Sequence, residues 1–185
     1  MQIDTQDFLR LVELAKTLYF IDIEASNLRA DYGSILCVSM KPYGKSPLTV
    51  SVTQPGNDQR VVREVSAHLE DADCWVTYYG KGFDIPFLNT RLLKWGLSPI
   101  QKKPHIDLYF QLKSKTLTSR RSQSHLLAWL GTPEQKMTVS ADVWNQIVGD
   151  PIKHMPEMIK RCESDTKGLE ALYERTKHLI ADIKP

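Results

Sequence analysis

The stretch LYFIDIEAS, residues 18–26, governs how the rest of the chain is read. Leu18, Tyr19, Phe20, Ile21 and Ile23 form an apolar run rich in aromatic and β-branched residues, which predicts a buried strand. Two acids, Asp22 and Glu24, are set into it at alternate positions, and the two-residue period of a strand projects both from one face. Carboxylates side by side on a buried face repel each other. One must take up a proton unless a cation compensates, and a divalent metal ion suits carboxylate oxygens. The isolated pattern also fits two acids at a strand end in water, so its meaning depends on the surrounding sequence.

Upstream, residues 5–16 place Phe8, Leu9, Leu11, Val12 and Ala15 at helical spacing behind Asp4 or Thr5, predicting a helix that leads into the strand. Downstream, ILCVSM (35–40) and LTVSV (48–52) read as two more strands. The turn-bearing segments DYGS and KPYGKSP connect them, so residues 18–52 form an antiparallel meander. A helix over 58–69, a strand CWVTYY (74–79), a helix DIPFLNTRLLKW (84–95) and a strand HIDLYF (105–110) follow. From Ser122 the pattern turns helical: SQSHLLAWLG, SADVWNQIVG, then a long stretch from Met155 to Ile180. Strands first, helices later and strand–helix–strand units between predict an α/β sheet flanked by helices. No repeat, low-complexity tract or linker divides the sequence, so one domain over 1–185 is expected.

With 42% hydrophobic and 25% charged residues, the 185-residue chain has the composition of an ordinary globular domain. Cys37, Cys74 and Cys162 show no CxxC or Cys/His spacing, which argues against a disulfide framework or a zinc site and favours a reducing, cytoplasmic setting. No basic region precedes an apolar run at the start and no 18 apolar residues are consecutive, so neither a signal peptide nor a membrane span is expected. Phosphate-binding GxxxxGK[ST] and dinucleotide-binding GxGxxG motifs are absent. Net charge is only +2, but Arg91, Lys94, Lys102, Lys103, Lys113, Lys115, Arg120 and Arg121 are opposed only by Asp107 between residues 91 and 125. This basic stretch beside an acidic remainder suits a grip on a phosphate backbone, and equally an ordinary lysine-rich surface. The four tryptophans, Trp75, Trp95, Trp129 and Trp144, lie in apolar runs and are expected to pack in the core or under a lid.

Two further acids stand out. Asp84 opens a predicted helix after Phe83 and by itself reads as a cap. Asp165 lies three residues after Cys162 and four before Leu169, within an apolar helical seam where an unpaired charge is costly. It either pairs with a basic residue or serves a site.

Three segments carry these acids in order: FIDIEASNLRADYGSIL, WVTYYGKGFDIPFLNTRL and RCESDTKGLEALY. They resemble the three motifs of the DEDD superfamily, the DnaQ-like 3′-to-5′ exonucleases of ribonuclease H-like fold. HIDLYFQLK, HLLAWLG and the segment 136–144 are similar to its YprB-like and phage-type branch. The resemblance implies a mixed five-stranded sheet, with a three-stranded antiparallel meander plus parallel strands. It also implies two Mg²⁺ or Mn²⁺ ions held by Asp22, Glu24, Asp84 and Asp165, and a terminal nucleotide lined by Ala25, Ser26, Asn27 and Leu28. The implied substrate is a single-stranded DNA or RNA 3′ end, DNA ahead of RNA, released as 5′-monophosphates, alone or within a replication or repair complex.

The pattern breaks at two places. Active members carry a tyrosine or histidine base one turn before the last aspartate, at positions taken here by Arg161 and Lys160. Arginine has no acceptor and stays charged, which points to Tyr78, Tyr79 or His154 as a substitute base, or to the metal ions alone; Arg161 itself suits contact with the scissile phosphate. Tyr79 replaces an asparagine that contacts substrate. These departures also fit a catalytically quiet module that binds nucleic acid or a partner protein.

Overall fold

The computed structural model describes residues 17–134 and 140–180, except the side chains of Ala141 and Val143. The helix expected over 5–16 lies outside these residues, as do residues 136–139 of the segment 136–144. Five strands form one mixed sheet: β1 (Leu18–Ala25), β2 (Ile35–Pro42), β3 (Leu48–Ser51), β4 (Cys74–Thr77) and β5 (His105–Asp107), in the spatial order β3-β2-β1-β4-β5. β1–β2 and β2–β3 pair antiparallel, whereas β1–β4 and β4–β5 pair parallel. β1 is therefore the seam where a meander meets a parallel half. The helices are α1 (Gln59–Asp71), α2 (Asp84–Lys94), α3 (Leu108–Lys113), α4 (Gln123–Trp129), α5 (Ala141–Gly149) and α6 (Met155–Thr176), followed by a 3₁₀ turn at Lys177–Leu179.

Alternation along β1 sorts its side chains onto two cores. Ile21 and Ile23 pack with Val61, Val62, Val65 and Leu69 of α1 and with Leu88 and Leu92 of α2. Leu18 and Phe20 pack with Val76, Ile106, Leu127 of α4 and Leu169, Leu172 and Tyr173 of α6. Complete burial of each such side chain contributes about 1.5–3 kcal/mol. Phe20 meets Tyr173 edge to face at 5.6 Å. A polar column then pins α6 across the meander: Ser39 bonds Thr166 at 3.0 Å, Thr49 donates to Glu163 at 3.0 Å, and buried Lys41 pairs with Glu170. At Gly168 a Cβ would stand 2.8 Å from Leu127 Cδ1, so the missing side chain lets α4 lie against α6.

The predicted elements need four corrections. CWVTYY is a strand only to Thr77, because Tyr79 adopts φ +66°, which no extended strand accommodates. HIDLYF pairs only over 105–107, because the Asp107 side chain accepts from Tyr109 N–H at 3.1 Å and caps a helix there. Arg91 cannot grip phosphate, being buried and paired with Asp58. Trp129 is 64% exposed rather than packed. The remaining three tryptophans are buried or packed against the core, and all three cysteines are buried and free.

Asp58 forms a buried hub absent from the sequence reading. Its carboxylate accepts from Ile35 N–H at 2.8 Å, from Arg91 Nε and Nη2 at 2.8 and 2.9 Å, and from Trp95 Nε1 at 2.7 Å. Arg91 Nη1 also donates to the carbonyl of Ala30 at 3.1 Å. One ion pair thus ties the start of β2, the entry to α1, the end of α2 and the loop after β1.

Candidate active site

Asp22 and Glu24 leave β1 on the face covered by α6, opposite Ser39 and Cys37 of β2. The register slips between Glu24 and Ala25, a bulge of the kind that often ends pairing beside a site. On α6, Cys162, Asp165, Thr166 and Leu169 follow the i, i+3, i+4, i+7 rhythm, which turns Asp165 onto the same strand pair. One carboxylate oxygen from each of Asp22, Glu24 and Asp165 lies within 4.8 Å of the others. Gln123 Nε2 of α4 donates to the Asp165 carbonyl at 2.9 Å and steadies that turn of α6. The Cys162 thiol donates to the Asp22 carbonyl oxygen at 3.3 Å, and burial pushes the pKa of that thiol upward.

Asp84 is buried at the start of α2, and its Oδ1 accepts from the Ile23 N–H at 3.0 Å. It thereby holds the strand backbone between Asp22 and Glu24. The structure groups three of the four predicted acids and ties the fourth to the strand that carries two of them. All four lie near the carboxyl ends of parallel strands, where open α/β sheets bind their ligands, beside the seam at β1.

Three clustered carboxylates are the donor set that Mg²⁺ and Mn²⁺ prefer, so these residues fit such an ion. Arg161, one turn before Asp165, sends Nε to Glu24 Oε1 at 2.6 Å, while its guanidinium lies 5.4 Å from the centre of the Trp144 ring of α5. Burial disfavours that charge, but the charge and hydrogen bond of Glu24, followed by Asp165 and Asp22, hold its pKa above the ordinary arginine value.

The residues expected around the terminal nucleotide lie at the end of β1. Ala25 is buried, Ser26 Oγ accepts from Ser34 N–H at 3.0 Å, Asn27 Oδ1 accepts from Arg29 N–H at 3.0 Å, and Leu28 is 82% exposed. Ser26 and Asn27 face a surface pocket of about 380 Å³ shared with Asp31, Tyr32 and Ser34. A larger cavity, about 940 Å³, lies away from the acids between the β2–β3 turn and the end of α6.

Tyr79 stands out by its backbone. The left-handed conformation costs about 1–3 kcal/mol in a non-glycine residue and needs enforcement. Asp107 supplies it, accepting from Tyr79 N–H at 2.9 Å and Lys81 N–H at 2.8 Å, a positioning role without a place among the clustered acids. The Tyr79 ring lies against Gly82, where a Cβ would come within 2.6 Å of its Cζ, and stacks on exposed Phe110 at 5.6 Å. Tyr78 is a poor base: burial first, then the charges of Tyr109 and Asp107, raises its pKa, and its hydroxyl donates to the Arg121 carbonyl at 2.5 Å. Sequence reasoning missed the Tyr79–Phe110 pair because Phe110 was assigned to a strand. The aspartate–x–aromatic start of α3 was the available signal.

Among the described residues no helix is long and apolar enough to cross a membrane. No curated protein matches the chain. Among solved structures, the family B DNA polymerase of the hyperthermophilic archaeon Pyrobaculum calidifontis superposes with a TM-score of 0.72 at 17% identity. The match covers 87% of this chain and 24% of that one, so it bears on the fold alone. Residues 19–176 match the family described as the RNase_H superfamily, a span running from β1, with Asp22 and Glu24, to the last turn of α6, beyond Asp165. With that match over most of its length, and with the seam-strand sheet that brings those acids together, the chain belongs to the RNase_H superfamily.

Proposed function

We propose that this protein is a divalent-metal-dependent 3′-to-5′ exonuclease of the DEDD, DnaQ-like type, acting on single-stranded 3′ ends, DNA ahead of RNA, and releasing 5′-monophosphates. The observation that carries the reading is the Asp22–Glu24–Asp165 cluster on one face of β1 and α6, in the motif order of that type. Mg²⁺ or Mn²⁺ held there would activate a water and stabilise the leaving 3′ oxygen. Asp22, Glu24 and Asp165 would hold the ions, and Asp84 would fix the strand backbone from which two of them project. Ala25, Ser26, Asn27 and Leu28 would receive the terminal nucleotide, with exposed Leu28 against its base. The Tyr79–Phe110 pair offers a stacking surface for a following base, and Lys113, Lys115, Arg120 and Arg121 offer contacts to phosphates. Such a combination of aromatic faces and cations suits a single strand and tolerates any sequence. The protein would work alone or within a replication or repair complex.

A second reading, a quiet nucleic-acid-binding module, is favoured by one observation: Arg161 fills the position of the base and is bonded to Glu24. Digestion of a 5′-labelled single-stranded oligonucleotide with Mg²⁺, Mn²⁺ or EDTA, beside Asp22→Ala, separates the two. A metal-dependent ladder shortening from the 3′ end and lost in Asp22→Ala is expected. Binding without cleavage in every metal would favour the quiet module.

A further inference from the structure

We propose that the cleft between α2 and the approach to β5 is a second nucleotide site, which takes one nucleoside monophosphate unit with its phosphate on Lys81, Lys102 and Lys103 and its base against the apolar wall behind them. The cleft lies apart from the acids. Trp75 and its cross-strand partner His105 form its floor on the α2 face of the sheet, whereas Asp22 and Glu24 leave β1 on the α6 face. Binding there needs no metal and so does not depend on the exonuclease reading. Cations gather in this cleft without acids. Lys102 and Lys103 belong to the basic stretch but not to the strand path described above, and they meet Lys81 from the turn after β4. No carboxylate among the described residues lines the cleft. By contrast, four glutamates accompany the three lysines of the cavity of about 940 Å³, and Asp31 lines the pocket beside Ser26.

Ammonium groups around one cleft repel one another, and a phosphate relieves that repulsion. Lys103 Nζ donates to the Glu70 carbonyl at 2.7 Å, which fixes its position and leaves its charge uncancelled. Lys81 N–H donates to Asp107 at 2.8 Å, which anchors its backbone. Such seating lowers the cost of ordering the site around a ligand. The walls select the rest of the ligand. Ile85 and Pro86 of α2, Ile100, and the Trp75 and His105 rings set edge to face at 5.9 Å present apolar surface that a bare phosphate would leave unused. His105 adds no charge at neutral pH, because burial holds its pKa down at about 3. Asn89 Oδ1 accepts from Ile100 N–H at 3.1 Å, which leaves Nδ2 to donate to a base carbonyl. The cleft volume is about 250 Å³. Sites for drug-sized molecules run to roughly 300–1,000 Å³, so this one suits a single base with its phosphate rather than a dinucleotide.

Calorimetric titration with dTMP and with inorganic phosphate tests this, in EDTA so that the acids hold no metal, on the wild type and Lys102→Glu/Lys103→Glu, with the site located by NMR from backbone and indole N–H resonances. One dTMP per chain is expected, bound more tightly than inorganic phosphate, with shifts at Trp75, Ile100 and Lys103 and none at Glu24. The double variant should keep the wild-type melting temperature and bind dTMP on the order of 10-fold more weakly. A single-stranded oligonucleotide then separates the two sources of the same chemistry. Displacement of dTMP by it would support the site as one for a unit of the strand, and binding beside dTMP would support it as one for free nucleotide. No dTMP bound, equal affinity for dTMP and inorganic phosphate, shifts confined to residues 26–28, or unchanged affinity in the double variant would overturn the site. None of these results would alter the expectation of metal-dependent cleavage at the acids.

Discussion

Replacing Asp58 with alanine probes the hub on which the loop beyond β1 depends. The carboxylate is 0% exposed and accepts four hydrogen bonds, two of them from the fork of Arg91, itself 1% exposed. Removing it leaves a buried guanidinium with the Ala30 carbonyl, and strips the Ile35 and Trp95 N–H groups of their acceptor. An uncompensated buried charge costs about 3–5 kcal/mol, and each stranded N–H about 1–3 kcal/mol before water and relaxation recover part of it. A net loss of about 4–5 kcal/mol follows. At about 2–4 °C per kcal/mol for a chain of this size, the midpoint should fall by roughly 8–20 °C. The assay is urea unfolding of wild type, Asp58→Ala, Asp58→Leu, Arg91→Met and the double variant Asp58→Leu/Arg91→Met. Because an apolar pair of similar volume can replace a buried ion pair at little cost, while the Ile35 and Trp95 N–H groups stay without this acceptor, the double variant should recover about half of the loss and remain about 2–3 kcal/mol below wild type. A loss below about 1 kcal/mol for Asp58→Ala, or single costs that simply add in the double variant, would refute the hub.

Other predictions follow from individual groups. Burial, and then the charge of Lys81, lowers the pKa of His105 from its ordinary 6.5 to about 3, with Nε2 bonded to Thr77 Oγ1 at 2.7 Å. The folded state therefore keeps the ring neutral while the unfolded chain takes up a proton below about pH 6.5. This contribution to stability is complete above that pH and is lost toward pH 3, at up to about 1.4 kcal/mol per pH unit. Urea unfolding of His105→Gln from pH 7 to 4 should show a shallower decline than wild type; parallel curves would contradict the assignment. Burial pushes Asp58 upward, but the hydrogen bonds of Arg91, Trp95 and Ile35 together hold it below the usual carboxylate value, so its share of stability is present above about pH 4 and is lost only in stronger acid. Tyr79→Ala should weaken binding of a single-stranded oligonucleotide by about 1–3 kcal/mol without changing the salt dependence. Lys113→Ala with Lys115→Ala should instead lower the slope of log affinity against log salt by about 0.7 per lost contact. Fluorescence anisotropy across a salt series distinguishes the two, and an unaltered slope in the lysine double variant would remove those residues from the strand path.

What was legible in the sequence was whatever depends on neighbours along the chain. Alternation around Asp22 and Glu24 placed both on one face of β1, and the helical rhythm of Cys162, Asp165 and Leu169 placed Asp165 toward the sheet. The meander followed from the same periodicities and from turn residues, whereas the parallel half and the reading of the acids as three ordered motifs came from the family resemblance. Boundaries failed where a side chain reached back to the backbone. Asp107 caps α3 and imposes the left-handed turn at Tyr79, and so shortened two predicted strands. Arg91 and Arg161 look alike as sequence, two cations in helical segments. Only packing decided that one is sealed against Asp58, 33 residues away, and the other against Glu24, 137 residues away. Local periodicity sets which way a side chain points. Which charge it meets is settled when the sheet and α6 close around the acids, because burial makes each unpaired charge costly and selects the pairs that survive.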